Sequence, residues 1–233
     1  MTETKLYIAR HGKTMFNTIG RAQGWSDTPL TAFGEEGIRE LGVGLKAAGV
    51  PFKAAFSSDS GRTMQTMEII LRETQNEDLP YKRDKRIREW CFGSLDGGYD
   101  GDLFQGVLPR TVAFADGRTL EEMPYPDIAQ SIAEVDTANW AEPWEVLSKR
   151  IYDGFEAMAK EIQNQGGGNA IVVSHGMTIG TFMWLIDSSQ KKQVIDNGSV
   201  SVVSYKDGQF SIEAVADMSY RKQGREIIDA NEK

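Results

Sequence analysis

Short apolar runs alternate along this chain with longer amphipathic stretches, and this alternation limits the possible folds more than any other feature. Lys5–Ala9 (KLYIA), Ala54–Ser57 (AAFS) and Ala170–Ser174 (AIVVS) read as short buried strands. Between them, Thr31–Ala48 puts Ile38, Leu41, Leu45 and Ala48 on one helical stripe, with Thr31 to cap its start and Gly49 to close its end. A second helix runs to about Glu73, capped by Ser58 or Asp59, with Met64, Met67 and Leu71 facing inward. Lys82–Ile87 reads as a further strand. Trp144–Gln165 carries Leu147, Ile151, Phe155, Met158 and Ile162 on one face and ends at Gly166–Gly168, and Met177–Ile186 also reads as helix. Val200–Tyr205 and Gln209–Val215 flank Asp207-Gly208, which predicts a hairpin with a type I′ turn. Strands alternating with helices specify an α/β fold: three layers, a mainly parallel central sheet with helices on both faces. Over about 95–142 the pattern loosens around Gly97, Gly98, Gly101, Pro109, Pro124 and Pro126. This stretch is expected to be a lid-like insertion with short helices in a single domain spanning 1–233.

Composition narrows the chemistry. A net charge of −8 repels nucleic acid and anionic membrane, so an anionic ligand must be held by a local group of arginines. Cys91 is the lone cysteine, which rules out an intrachain disulfide and fits a reducing compartment. No apolar run approaches the ~18 residues of a membrane span, so a soluble cytoplasmic protein is expected, with a homo-oligomer left open. Two histidines far apart and one cysteine, without a His-Glu-x-x-His or paired-cysteine motif, leave few metal ligands, and no metal or cofactor is expected. Neither Gly-x-x-x-x-Gly-Lys nor Gly-x-Gly-x-x-Gly occurs, which disfavours a phosphate-loop kinase and a dinucleotide enzyme.

The two histidines share one setting. His11 ends YIAR and precedes Gly12; His175 ends IVVS and precedes Gly176. Two strands of one parallel sheet deliver such residues to the same edge, where ligands bind in sheets of this kind. Imidazole can attack phosphorus and form a covalent intermediate. Phosphoryl transfer then requires mainly positioning and charge stabilisation, which the guanidinium of Arg10 can provide. A histidine on a loop with a local hydrogen bond is the bland alternative for either one alone.

Five separated segments carry a specific resemblance. Arg10-His11-Gly12-Lys13-Thr14-Met15-Phe16-Asn17 resembles the Arg-His-Gly-x-Thr-x-x-Asn opening of the histidine phosphatase superfamily, on its phosphoglycerate-mutase-like branch. Gln23–Thr31 resembles that branch's next segment, and Ser57–Thr66 its Ser-x-x-x-x-Arg-x-x-x-Thr helix start. Glu89–Gly93 resembles its Glu-x-x-x-Gly segment, and Ser174-His175-Gly176 its second histidine. The resemblance implies that His11 is the nucleophile and that Arg10, Arg62 and His175 surround the phosphoryl oxygens. It further implies that Glu89 gives a proton to the leaving oxygen. Asn17, Gln23, Gly24 and Gly176 are the expected substrate-binding residues, with Lys13 and Thr14 as further candidates and a small phosphorylated substrate as the partner. The residues themselves agree on Arg62, which falls in the first turn of a predicted helix, where backbone N–H groups favour an anion.

Three readings compete. A phosphomonoester hydrolase is favoured. A mutase of this branch would carry Tyr three positions after the acid, Lys about eight further on and an adjacent Arg pair in the insertion. This chain has Phe92 and Asp100 there, with Arg110 and Arg118 standing apart. A non-enzymatic phospho-ligand-binding protein is the third. Phe104, Phe114 and Tyr125 are candidate contacts in the insertion. Trp25, Trp90 and Cys91 read as packing residues, and Arg86 and Arg88 are expected to face away from Glu89.

Overall fold

The computed structural model describes residues 3–114 and 117–232. Strands β1 (Thr4–Arg10), β2 (Phe52–Ser57), β3 (Tyr81–Arg83), β4 (Gly168–Ser174), β5 (Val200–Lys206) and β6 (Gln209–Asp217) form one sheet in the order β3-β2-β4-β1-β5-β6. The first four are mutually parallel; β5 runs antiparallel to β1, and β6 to β5. The α/β class and mainly parallel sheet are as the sequence requires. Asp207 and Gly208 take φ of 52° and 83°, the left-handed pair that a type I′ turn needs. The strand expected at Lys82–Ile87 is shorter, because Asp84 accepts the Arg86 backbone N–H at 2.8 Å and turns the chain into a 3-10 turn over Lys85–Ile87.

The helices are α1 (Met15–Ile19), α2 (Ala32–Ala47), α3 (Gly61–Thr74), α4 (Tyr125–Val135), α5 (Trp144–Asn164), α6 (Gly176–Ile186) and α7 (Ser219–Asn231). They cover both faces. On one, Ile38, Leu41, Leu45, Met67 and Ile70 pack on Ala9, Ala55, Ile171 and Val173. On the other, Phe155, Met158, Ile162 and Phe182 pack on Leu6, Ile8, Phe56 and Val172. Successive residues of β4 alternate between these two cores, as the pleat dictates.

Several local expectations change. Ala48 is exposed and terminates α2, so the apolar stripe stops at Leu45; Gly49, at φ +65°, closes the helix. Met64 is half-buried. Neither Ser58 nor Asp59 caps α3: Ser60 holds the cap position without a side-chain bond. Asp27, brought from a distant loop, accepts the Gly61 and Arg62 backbone N–H groups at 2.6 and 3.4 Å. Apolar periodicity in the sequence marks neither α1 nor α7. The first is five residues long and held by a reciprocal cap between Thr14 and Asn17. The second nests on α2, with Gly44 against the Tyr220 carbonyl and Gly224 against the Glu40 carbonyl.

The segment 95–142 is the most irregular part. Asp136 pins its ends together by accepting backbone N–H groups from Ser94, Trp140 and Ala141 at 2.6–2.7 Å. Gly93, at φ +59°, leaves room for that carboxylate, since a Cβ there would fall 2.1 Å from it. Leu103, Leu108, Met123, Ile128 and Ile132 join the core beneath α5 and α6.

The first turn of α2 presses on the loop after β1. A Cβ on Gly34 would lie 2.1 Å from the Lys13 carbonyl oxygen. Gly34→Ala should cost about 1–3 kcal/mol in urea unfolding, the usual cost of overpacking, and should lower turnover by displacing the His11 loop. Gly49→Ala, which meets no neighbour within 4 Å, should cost stability through its positive φ and leave activity intact. Equal activity losses in the two variants would refute this coupling.

Candidate active site

The parallel register pairs Arg10 with Ser174, so β1 and β4 release His11 and His175 side by side. The His11 backbone N–H donates to the Ser174 carbonyl at 3.1 Å, and the two imidazoles meet edge to face with centroids 5.3 Å apart. Both side chains are buried.

Hydrogen bonding assigns the tautomers. His11 Nδ1 lies 2.8 Å from the Gly12 carbonyl, which can only accept. The proton therefore sits on Nδ1, and Nε2 carries a free lone pair with no protein partner. His175 Nδ1 accepts from Arg62 Nε and Nη2 at 3.2 and 2.9 Å, so His175 Nε2 donates to Ser58 Oγ at 2.8 Å. Burial, reinforced by Arg62 and Arg10, holds the basicity of both rings well below the usual histidine range. Both are neutral at pH 7.

The two arginines differ. Arg62, fully buried, donates to His175, to the Ser26 and Gly24 carbonyls at 2.9 and 2.8 Å, and to Asp27 at 2.9 Å, which occupies its whole fork. Arg10 donates from Nη1 to the Ile195 carbonyl at 2.6 Å, while its buried Nε has no partner. Gly176 lies against this guanidinium, with room for a Cβ only 3.3 Å from its carbon.

Glu89 is buried at the start of α6. Its Oε1 accepts the Thr178 and Trp90 N–H groups at 2.9 and 3.1 Å, and its Oε2 accepts only the Met177 N–H at 3.1 Å. Arg86 clasps Asp84 and Arg88 clasps Asp59, so both point elsewhere. Arg150 donates to the carbonyls of Arg86, Arg88 and Glu89, each at 2.9 Å, and pairs with Glu142 at 2.5 Å.

These groups surround a cleft of about 640 Å³ at the carboxyl ends of the parallel strands. Arg10, His11, Asn17, Gln23, Glu89 and Gly176 line it; Arg62, His175 and Gly24 do not. Arg62 and His175 brace the site through each other, and Gly24 packs against the Trp90 carbonyl. Asn17 Oδ1 accepts from Thr14 N and Asn197 Nδ2 at 3.3 and 3.4 Å, which leaves its amide N–H pair free. Lys13 instead lies over the Phe33 ring, and the Thr14 hydroxyl is spent on Gln23. Phe104 and Tyr125 line the cleft; the Phe114 side chain falls outside the described residues. Trp90 and Cys91 are buried. Trp25 is not core: it is 46% exposed, and its indole N–H holds the Glu89 carbonyl at 3.0 Å.

Arg21, Asp100 and Lys192 also line the cleft, and the sequence reading did not single them out as contacts. Arg21 and Lys192 lie in irregular chain and Asp100 at the start of a short π-helix, where no apolar periodicity signals orientation. Among the described residues, no three His, Cys, Asp or Glu side chains gather as metal ligands, and no helix is long and apolar enough to cross a membrane.

Comparison with known proteins places the chain by family and fold. The profile of the histidine phosphatase superfamily (branch 1) matches residues 6–218. A broad-specificity phosphatase of Saccharomyces cerevisiae is 28% identical over 229 residues, covering 96% of this chain and 90% of the relative. A probable phosphoglycerate mutase of Salmonella arizonae is 29% identical over 225 residues, covering 93% and 94%. The crystal structure of a Bacillus anthracis phosphoglycerate mutase superposes with a TM-score of 0.89 at 36% identity, covering 96% and 97%.

The two neutral histidines are the only ones in the chain, so they set its stability between pH 6.5 and 5. Once unfolded they protonate near pH 6.5, whereas in the fold they resist protonation. Stability is therefore fully present above that pH and falls as pH drops, with a slope approaching about 1.4 kcal/mol per pH unit per histidine. Urea unfolding at pH 7.5, 6.5 and 5.5 should show this loss, and His11→Gln/His175→Gln should flatten it. Parallel slopes in the two proteins would refute the assignment of neutral rings.

Proposed function

Since this chain belongs to the histidine phosphatase superfamily (branch 1), we propose that it hydrolyses small phosphomonoesters through a phosphohistidine at His11, with Glu89 as proton donor. The observation that carries this reading is the His11 Nε2 lone pair, unpartnered in a neutral imidazole that shares its cleft with Arg10, whose Nε is also unpartnered. A ring fixed by Nδ1 to Gly12 has its nucleophilic nitrogen aimed before substrate arrives.

In the proposed reaction His11 Nε2 attacks phosphorus and the ester P–O bond breaks. The leaving oxygen takes a proton from Glu89. Two N–H donors occupy Oε1, so Oε2 is the oxygen that carries the proton. Water then attacks phosphorus and gives a proton back to Glu89; the P–N bond breaks, its electron pair returns to Nε2, and phosphate leaves neutral His11 behind. Arg10 Nε and the Asn17 amide supply free donors to the phosphoryl oxygens. Arg62 adds positive charge from behind, acting through His175 and by its field. Gln23 and Gly176 shape the wall, and Gly24 holds Arg62. The chemistry requires no metal or cofactor, and the chain acts as a single-domain cytoplasmic enzyme on a small phosphorylated substrate.

Relatives described as mutases favour a second reading, phosphotransfer between positions of a phosphoglycerate. Against it, Phe92 and Asp100 occupy the cleft, Arg110 is exposed, and Arg118 lies 3.5 Å from Asp127 rather than in the cleft.

A series of phosphomonoesters of graded leaving-group pKa distinguishes these readings. Wild type should release phosphate across the series, and Glu89→Gln should slow alkyl esters by ~10²–10⁴-fold while sparing nitrophenyl phosphate, whose leaving group needs little protonation. Equal losses across the series would remove Glu89 as the acid. Isomerisation of 3-phosphoglycerate above ~10⁵ M⁻¹s⁻¹, a normal physiological efficiency, would replace the hydrolase by the mutase.

A further inference from the structure

Among the described residues that line the cleft, Asp100 is a half-buried charged group that is neither spent nor catalytic. It enters the Gly101–Val107 turn, where its backbone N–H donates to the Gly20 carbonyl at 2.9 Å. Its half-buried carboxylate has no hydrogen-bond or ion-pair partner among the described residues. Burial pushes its pKa up, with Arg10 near enough to oppose that shift. Asp100 lines the same cleft as Arg10, His11 and Glu89, through which the first atoms of a leaving alcohol would pass.

The nearby cations do not neutralise it. Arg21 donates to the Gly97 carbonyl at 2.5 Å and stacks 4.3 Å over the Tyr99 ring. Lys192 donates to the Leu120 and Met123 carbonyls and lies 4.7 Å over the Tyr125 ring. Burial pulls its pKa down to about 8. Glu121, at the exposed rim, adds a second negative charge. Phe92 and Phe104, packed edge to face at 6.0 Å, give the cleft an apolar face.

We propose that Asp100 determines leaving-group specificity: the cleft takes phosphomonoesters whose alcohol carries a hydrogen-bond donor, hydroxyl or ammonium, close to the ester oxygen, and rejects those carrying a carboxylate there. This rests on the phosphatase reading above. A half-desolvated carboxylate gains a charge-assisted bond from such a donor and repels a second carboxylate held in the same low-dielectric wall.

The test compares three esters of similar size: phosphoethanolamine, 2-phosphoglycolate and ethyl phosphate. In wild type, kcat/KM for phosphoethanolamine should exceed that for 2-phosphoglycolate by roughly 10- to 100-fold, the worth of one charge-assisted hydrogen bond. Asp100→Asn should bring the ratio towards one, and Asp100→Lys should invert it. A ratio that stays put in both variants, or a wild type that prefers 2-phosphoglycolate, overturns the proposal. Nitrophenyl phosphate assayed with wild type separates the two ideas. If it is not hydrolysed, the phosphatase reading fails, and calorimetric binding of the same three esters to wild type and both variants then decides the role of Asp100 by the same ratios.

Discussion

The Arg62 guanidinium lies fully buried, and a cation without water must find all its hydrogen-bond partners in protein. Three come from the Gly24–Asp27 loop, and the remainder is the Nδ1 lone pair of His175. Satisfying one charge thus ties the start of α3 to a loop far away in sequence and fixes the tautomer of the histidine that follows β4. Asp27 also receives the N-terminal N–H groups of α3, so the anion that balances Arg62 caps the helix that carries it. Removing one partner of so buried a charge costs about 3–5 kcal/mol, more than the few tenths expected of an exposed pair. Against an overall charge of −8, this buried cation supplies a local positive field of the kind an anionic ligand needs.

The same field acts on His11, the proposed nucleophile. Two guanidinium groups and complete burial oppose protonation of His11, and the Gly12 carbonyl takes the one proton the neutral ring carries. Such a ring is a base and nucleophile at Nε2. Glu89 is held differently, by the first N–H groups of α6, with its backbone carbonyl gripped by Arg150 and Trp25. The proposed acid thus sits on a rigid helix end although it belongs to a loop, the precision that general acid catalysis demands.

What the sequence made legible followed from periodicity and short motifs. The core strands and the helices with wide apolar stripes appear where expected, and so do the Thr31 cap, the Gly49 closure and the Asp207-Gly208 turn. His11 and His175 were placed together because a parallel sheet leaves little choice for two strand-ending residues. Long-range side-chain bonding was illegible. Nothing local in Asp27 announces that it caps α3, nothing in Arg150 that it holds the Glu89 loop, and nothing in Asp136 that it closes the 95–142 segment. The missed α7 is mostly polar; its glycine contact with α2 gives no apolar signal. Arg62 and His175 were expected at the phosphoryl oxygens, yet they touch each other and stay off the cleft wall, an arrangement set by donor and acceptor counting in three dimensions.

The central claim is that His11 Nε2 carries the phosphoryl group. Rapid acid-free quench of the protein with ³²P-labelled nitrophenyl phosphate, followed by peptide mapping, tests it most directly. The account predicts one acid-labile, alkali-stable label on the peptide containing His11, formed and lost fast enough for turnover and absent in His11→Ala. Label that persists in that variant, or turnover with no labelled peptide at any time point, would contradict it.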